Sequence, residues 1–147
     1  MIYFDDILAH SHIAKAAQVA AIYKQHRCIS RENEKGVVLG GVIFTDYHGE
    51  GGSVQIHCAG FTPHWLSRDL LFYIFDYAFT ALKVKKVVGI VNSKNARAVR
   101  LNTHIGFKPE ACIKDIFPDG AALVMTMRPD RCRYLVPPAK LRPIQMR

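Results

Sequence analysis

Three places along the chain combine residue types that could do chemistry. The first is the stretch from Val87 to Phe107, where an apolar run ends in Asn92-Ser93-Lys94-Asn95 and a short helical pattern leads to Gly106-Phe107. On that helix Lys94, Arg97, Arg100 and His104 lie three or four apart and share a face. The result is a basic stripe suited to a phosphate, or equally to solvent. Arg97, in the first turn, is the anion-binding candidate; Arg100 and His104 read as solvated. The second place is Phe61 to Leu70, a helix start directly after a strand. Free backbone N–H groups and the positive end of the helix dipole make such a place the usual anion site of an α/β crossover. Ser67 offers a hydroxyl there and Arg68 a cation, while Asp69 suits the dipole but repels an anion. The third is the pair Gln55 and His57 on one face of a strand. An imidazole with a pKa of about 6.5 can take a proton at neutral pH, although a lone strand His is also an ordinary structural residue. His64 is a further candidate. His10 and His12 with Cys28 suggest no metal, because neither a Cys-paired nor a carboxylate-rich motif accompanies them.

The elements that must position these residues can be read from periodicity. Ile13, Ala16, Ala17, Ala20 and Tyr23 have helical spacing, so a helix is expected over 11–25 with Ser11 as its cap. Strands are expected over 28–32, 37–47 and 53–59, the last alternating Val54, Ile56 and Cys58 against Gln55 and His57. The loop His48-Gly49-Glu50-Gly51-Gly52 joins two of them into an antiparallel meander. A helix over 65–82 is apolar at so many positions that it must be buried, with Phe72, Phe75 and Phe79 as core rather than as a stacking platform. A doubly buried strand over 86–91, a helix over 95–104 ended by Gly106, and strands over 107–117 and 121–127 joined through Pro118-Asp119-Gly120 complete the order α-β-β-β-α-β-α-β-β.

The 147 residues, half of them apolar, fit one domain over 1–135, which can bury roughly two thirds of its unfolded surface. A basic, Pro-rich tail over 136–147 reads first as a solvated basic extension, and otherwise as an extended segment that lies on the domain or reaches a neighbouring subunit in a homodimer. No apolar run reaches the roughly 18 to 20 residues of a membrane span and no signal-type start is present, so a soluble, cytoplasmic protein without a membrane partner is expected. The four cysteines are far apart and read as reduced. A formal net charge of +8 implies attraction to polyanions. Nucleic acid ranks last among them because no base-reading motif accompanies the charge.

The segment Asn95-Ala96-Arg97-Ala98-Val99-Arg100-Leu101, then Gly106-Phe107-Lys108-Pro109-Glu110, Pro118-Asp119-Gly120 and Leu123 to Arg128, resembles the second half of the Gcn5-related N-acetyltransferase (GNAT) family. It looks most like the ribosomal-protein alanine acetyltransferase branch and small members encoded by bacteriophages, which share the Trp65-Leu66-Ser67-Arg68 opening and the Cys132-Arg133 ending. The resemblance covers roughly Gly36 to Leu135. It implies an α/β (α+β) acyl-CoA N-acyltransferase fold, with a mixed central sheet and helices on both faces. It also implies transfer of an acetyl group from acetyl-CoA (coenzyme A) to an amine acceptor, protein or small molecule, in the cytoplasm or, if phage-encoded, the host cytoplasm.

The family's phosphate loop carries Gln or Arg, two residues, Gly, one residue, then Gly or Ala. Thr62, Trp65 and Ser67 stand at those positions, and only Ser67 is small. The cofactor-binding set implied is Phe61, Thr62, Leu66, Ser67, Arg68, Asp69 and Leu70, with Asn95 meeting the pantetheine arm and Arg97 a phosphate. A carboxylate about 6 Å from the diphosphate would cost about 3 kcal/mol at an effective dielectric near 20, so Asp69 must point away. For catalysis the resemblance implies a backbone N–H within His57 to Phe61 that polarises the thioester carbonyl. His57 stands in for the usual Glu base, and Asn102 takes the place of the frequent Tyr acid. Two alternatives remain: an inactive GNAT-fold structural or host-interaction protein, which rests on these departures and the basic tail, and a nucleic-acid-binding protein, which rests on the net positive charge.

Overall fold

The computed structural model describes residues 1–18 and 26–146. The chain order is β1 (Ile2–Phe4), α1 (Ile7–Ala16), β2 (Arg27–Glu32), β3 (Val38–Thr45), β4 (Ser53–Gly60), α2 (Arg68–Asp76), β5 (Lys86–Asn92), α3 (Ala96–Ile105), β6 (Lys108–Phe117), β7 (Gly120–Met127) and β8 (Ile144–Met146). All eight strands form one mixed sheet in the order β6-β7-β5-β4-β3-β2-β1-β8. The expected meander β2-β3-β4 is antiparallel, α2 crosses over to the parallel strand β5, and β7 pairs antiparallel with both β5 and β6.

Strand alternation gives the sheet two different faces. Val54 and Ile56 of β4 and Val87 and Val91 of β5 turn toward α2 and α3, and join Leu70, Leu71, Ile74, Phe75, Ile105 and Phe107 in the larger core cluster. On the opposite face Ala9, Ile13 and Ala14 of α1 pack on Cys28 and Ile43. In the aromatic run of α2 Phe75 is core, stacking on Phe79 and on Tyr134, whereas Phe72 is half-buried against Tyr73 and stands outside the core cluster. The helix does not stop at Asp76 but continues as a π-helical turn, Tyr77–Ala81, whose Tyr77 meets Phe4 and Phe44 edge-on.

Two helix starts and two short strands depart most from the sequence expectation. The first helix begins at Ile7, because the carboxylate of Asp6 accepts from Leu8 N (2.9 Å) and Ala9 N (3.2 Å) and supplies the cap. Ser11 lies inside that helix and is exposed, and Ala20 and Tyr23 fall outside the described residues. Helix α2 starts at Arg68 rather than at Trp65, since Ser67 caps it. Strands β1 and β8 were not expected: each has three residues, too few for a periodic signal, and each is defined by its partner.

Strand β8 explains the course of the basic, Pro-rich segment. After β7 the chain turns through Pro129–Arg131, and the Arg133 guanidinium donates to His104 O. It then lays Tyr134 parallel to Phe75 at 5.8 Å and crosses α2, where the Tyr73 hydroxyl donates to Arg142 O. It ends in parallel pairing with β1. The tail is a strap over α2, not a solvated extension.

Candidate functional site

Strands β4 and β5 pair only at Ser53–Lys86, Val54–Val87 and Gln55–Val88. Beyond Gln55, β4 stays with β3 as far as Gly60–Gly40, while β5 stays with β7 as far as Asn92–Ala122. Two neighbouring strands thus separate in mid-sheet, each held by its outer partner. The gap is the floor of a groove of about 560 Å³ that passes from the α2 face toward the end of α1.

Hydrogen-bond phase decides which amides face the gap. Phe61 N donates to Leu39 O (2.8 Å), so at this residue pair the amide points across to the β3 segment. In an antiparallel ladder such pairs alternate, so the N–H groups of His57 and Ala59 point to β3 and those of Cys58 and Gly60 point to the β5 side. With the β4–β5 ladder ended, the Cys58 and Gly60 amides open on the groove. The Cys58 side chain, read from sequence as packed, is also open to it. Its thiol is enclosed by protein on its other sides, and that desolvation pushes it up to about 12, so it is neutral and a poor nucleophile.

His57 lines the groove on the α1 side. The Thr45 hydroxyl donates its one proton to Asp46 Oδ2 (2.8 Å), so its oxygen accepts from His57 Nε2–H (2.8 Å). The lone pair therefore sits on Nδ1. Burial lowers the imidazole below its ordinary value, and Asp46 only partly offsets this, so His57 is neutral at pH 7. Sequence reasoning missed Thr45 and Asp46. They become partners of His57 only through the β3–β4 register, which sets Thr45 beside Gln55 and Ile43 beside His57.

The two helix starts near the groove are built differently. At α3 the Asn95 side chain accepts from Ala98 N (3.1 Å) and Asn92 Oδ1 accepts from Lys94 N (3.0 Å). Ser93 Oγ accepts from Ala121 N and Asn92 Nδ2 donates to Asp119 Oδ1, so the β6–β7 hairpin clamps the turn. Gly120 is required there, because a Cβ would come within 2.3 Å of Asn92 Oδ1. Asn95, Arg97 and Asn102 all line the groove.

At α2 the anion position is filled by the chain itself. Ser67 caps the helix and donates to Asp69 Oδ1, and Leu70 N donates to the same carboxylate oxygen (3.0 Å). Arg142 of the strap holds both Asp69 oxygens, with Nη2 at 3.0 Å from Oδ1. Asp69 is 4% exposed. Burial alone would raise its carboxyl, but the hydrogen bonds from Arg142 and Ser67 and the Arg142 charge prevail and hold it at about 2. Arg31 pins the preceding loop by donating to His64 O (2.7 Å) and Trp65 O (3.0 Å).

Trp65, 7% exposed, lays its indole over Gly40 and Gly60. A Cβ on Gly60 would stand 2.1 Å from Trp65 Nε1 and one on Gly40 would stand 2.7 Å from Cε3, so the two glycines admit the ring. Of the residues expected from sequence, the groove brings together His57, Asn95, Arg97 and Asn102. Ser67 and Asp69 are engaged with each other and with the strap, Leu66 and Leu70 pack in the core cluster, Phe61 and Arg68 are exposed, and Thr62 is half-buried in the loop. Asp69 points to Arg142, away from the groove. His64 is exposed, His10 is buried on α1 beside His26, and His12 is exposed. Among the described residues no cluster of His, Cys, Asp or Glu could hold a metal ion.

No protein-family model and no curated protein sequence matches the chain. Solved structures do match in fold. A chimera of the Vibrio cholerae spermidine N-acetyltransferase SpeG with hSSAT superposes with a TM-score of 0.69 at 17% identity, covering 92% of this chain and 99% of that one. The V. cholerae enzyme in complex with CoA and spermine gives 0.61 at 23% identity, over 88% of this chain and 75% of that one. A dodecameric form of it gives 0.66 at 17% identity, over 87% and 92%. The fold is therefore the mixed α/β fold of these acetyltransferases, as the resemblance in the second half of the chain implied.

Proposed function

We propose that the protein is an N-acetyltransferase that moves an acetyl group from acetyl-CoA to a primary amine: a protein N-terminus, a lysine or a small amine. One observation carries the reading: β4 and β5 part after Gln55–Val88 and leave the Cys58 and Gly60 amides facing a groove. An open sheet gains nothing in stability from a mid-sheet gap of this kind, since it forgoes the ladder hydrogen bonds that the two strands could make. A slot for an extended arm that accepts those hydrogen bonds accounts for it.

The residues present fit the arm of the cofactor better than its diphosphate. The gap and Asn95 suit a pantetheine chain, and Arg97 offers a cation at the same groove. The α2 start offers little, because Ser67 and Leu70 N are engaged with Asp69. Acetyl-CoA, when bound, supplies an acyl carbon activated as a thioester. The amide on the β5 side of Cys58 would polarise the acyl carbonyl as an oxyanion donor. His57 Nδ1 takes the proton from the attacking amine, and the Thr45–Asp46 chain fixes the tautomer that leaves this nitrogen free. As the new C–N bond forms and the C–S bond breaks, Asn102 can donate a hydrogen bond but no proton, so the thiolate is protonated by water.

The filled α2 start favours a second reading, a protein that keeps this fold without the reaction. Calorimetric titration with acetyl-CoA separates them. Saturable binding is expected, and its absence at millimolar cofactor removes the enzyme reading.

A further inference from the structure

We infer that the acceptor carries a single amine on an uncharged, apolar body and that polyamines are poor substrates. This inference rests on the acetyltransferase reading above and narrows its acceptor.

The groove supplies the first argument. Among the described residues that line it, Arg97 is the only one with a full charge and none is a carboxylate. Residues 19–25 contain no Asp or Glu in sequence, so wherever they lie they add none. Two acids that sit behind lining residues are engaged: Asp46 accepts from Thr45 Oγ1 and Asp119 from Asn92 Nδ2, each at 2.8 Å. A polyamine brings several ammonium groups, and every one removed from water needs a counter-charge to offset its desolvation. Only the attacking nitrogen sheds its charge, since it must be a neutral amine before it can attack. The others would meet neutral side chains and an arginine.

The second argument is the surface that continues from the groove. Val87 and Val91 of β5 face the core under α2 and α3, so Ile90 and Asn92 face the other way. Cross-strand register carries that face outward through Ile90–Val124–Ala111 and Asn92–Ala122–Ile113. Helix α1 packs on β2, β3 and β4, and leaves Ile90 46% and Ile113 50% exposed. The rows through Ile90 and Asn92 carry no charged residue, the Lys86–Glu110 ion pair closes the same face on the Val88–Thr126 side, and the shelf shares Ile90 and Asn92 with the groove. An amine reaching His57 from this side lays its body on that shelf. A base weakened by burial also suits a weakly basic amine, such as one beside an amide carbonyl.

The test compares phenylalaninamide with spermidine, following CoA thiol release, with acetyl-CoA binding measured separately by calorimetry. A kcat/KM ratio of about 100-fold in favour of phenylalaninamide is expected. Ile90→Glu and, separately, Ile113→Glu each put a carboxylate on the shelf and should narrow that ratio by about tenfold. Both positions are half-exposed, and if either variant fails to fold the wild-type ratio still decides. Spermidine turnover equal to or above that of phenylalaninamide, or transfer to neither while acetyl-CoA binds, overturns this inference alone. Absence of acetyl-CoA binding overturns the acetyltransferase reading and this inference with it.

Discussion

Helices α2 and α3 both begin beside the end of a central strand, yet their first turns serve different ends. At α2 the positive end of the dipole is met by Asp69, the helix's own second residue, and Arg142 from the far end of the chain neutralises that carboxylate. At α3 the cap is an uncharged Asn, and the nearby cation, Arg97, has no carboxylate partner among the described residues and lines the groove. The same backbone physics yields a closed, structural terminus in one case and a terminus open to a ligand in the other. What differs is whether the counter-charge comes from within the chain.

Three substitutions would break or sharpen that contrast. The largest effect is expected on the chemistry at the open side. His57→Gln should lower kcat about 100-fold, roughly 2.7 kcal/mol, while acetyl-CoA binding stays within twofold. In the wild type kcat should fall as pH drops through the lowered pKa of His57, below about 6.5, because the protonated imidazole cannot act as a base. The variant should lack that limb. A kcat–pH profile on both proteins checks this.

Next is the closed terminus. Arg142→Ala leaves Asp69 buried without its guanidinium, and because Arg142 is 45% exposed in its side chain the loss is discounted to about 2 kcal/mol, or roughly 4–8 °C in Tm. The sign of the pH effect follows from a folded value of about 2 against 3.8 in the unfolded chain: the stabilisation is present above the unfolded value and is lost as pH falls toward about 2. With Arg142 gone, burial raises the Asp69 carboxyl, so acid unfolding should begin at a higher pH. Acid titration followed by circular dichroism reads this directly, and an unchanged midpoint would count against the clamp. Acetyl-CoA affinity should be unaffected.

The smallest effect is at the open terminus. Arg97→Ala should weaken acetyl-CoA binding about tenfold, the loss of one charge-assisted contact, and leave Tm within 1–2 °C. Calorimetry and a thermal melt together test it. If Arg97→Ala destabilised the fold and Arg142→Ala released the cofactor, the two termini would have been assigned the wrong way round.

Much of the scaffold around these termini was legible in the sequence because it rests on local rules. The alternation of Val54, Ile56 and His57, the apolar run of β5 and the Gly106 ending each follow from neighbours within a few residues. The paired roles of Trp65 with Gly60 and of Asp69 with Arg142 do not. Trp65 in place of a loop glycine looks like a lost phosphate cradle until Gly40 and Gly60, on two other segments, are seen to make room for its ring. Asp69 looks like a misplaced repulsive charge until a residue 73 positions away reaches it.

The sequence by itself determined the order of the core strands and helices and the buried face of α2, since periodicity and capping act over one or two turns, while its family resemblance pointed to Asn95, Arg97, Asn102 and His57, which line the groove. Only the tertiary structure decided where β4 leaves β5, which imidazole nitrogen keeps its lone pair, and that the basic tail closes one helix start while leaving the other open. Those outcomes depend on strand register and on contacts between distant segments, which no local pattern encodes.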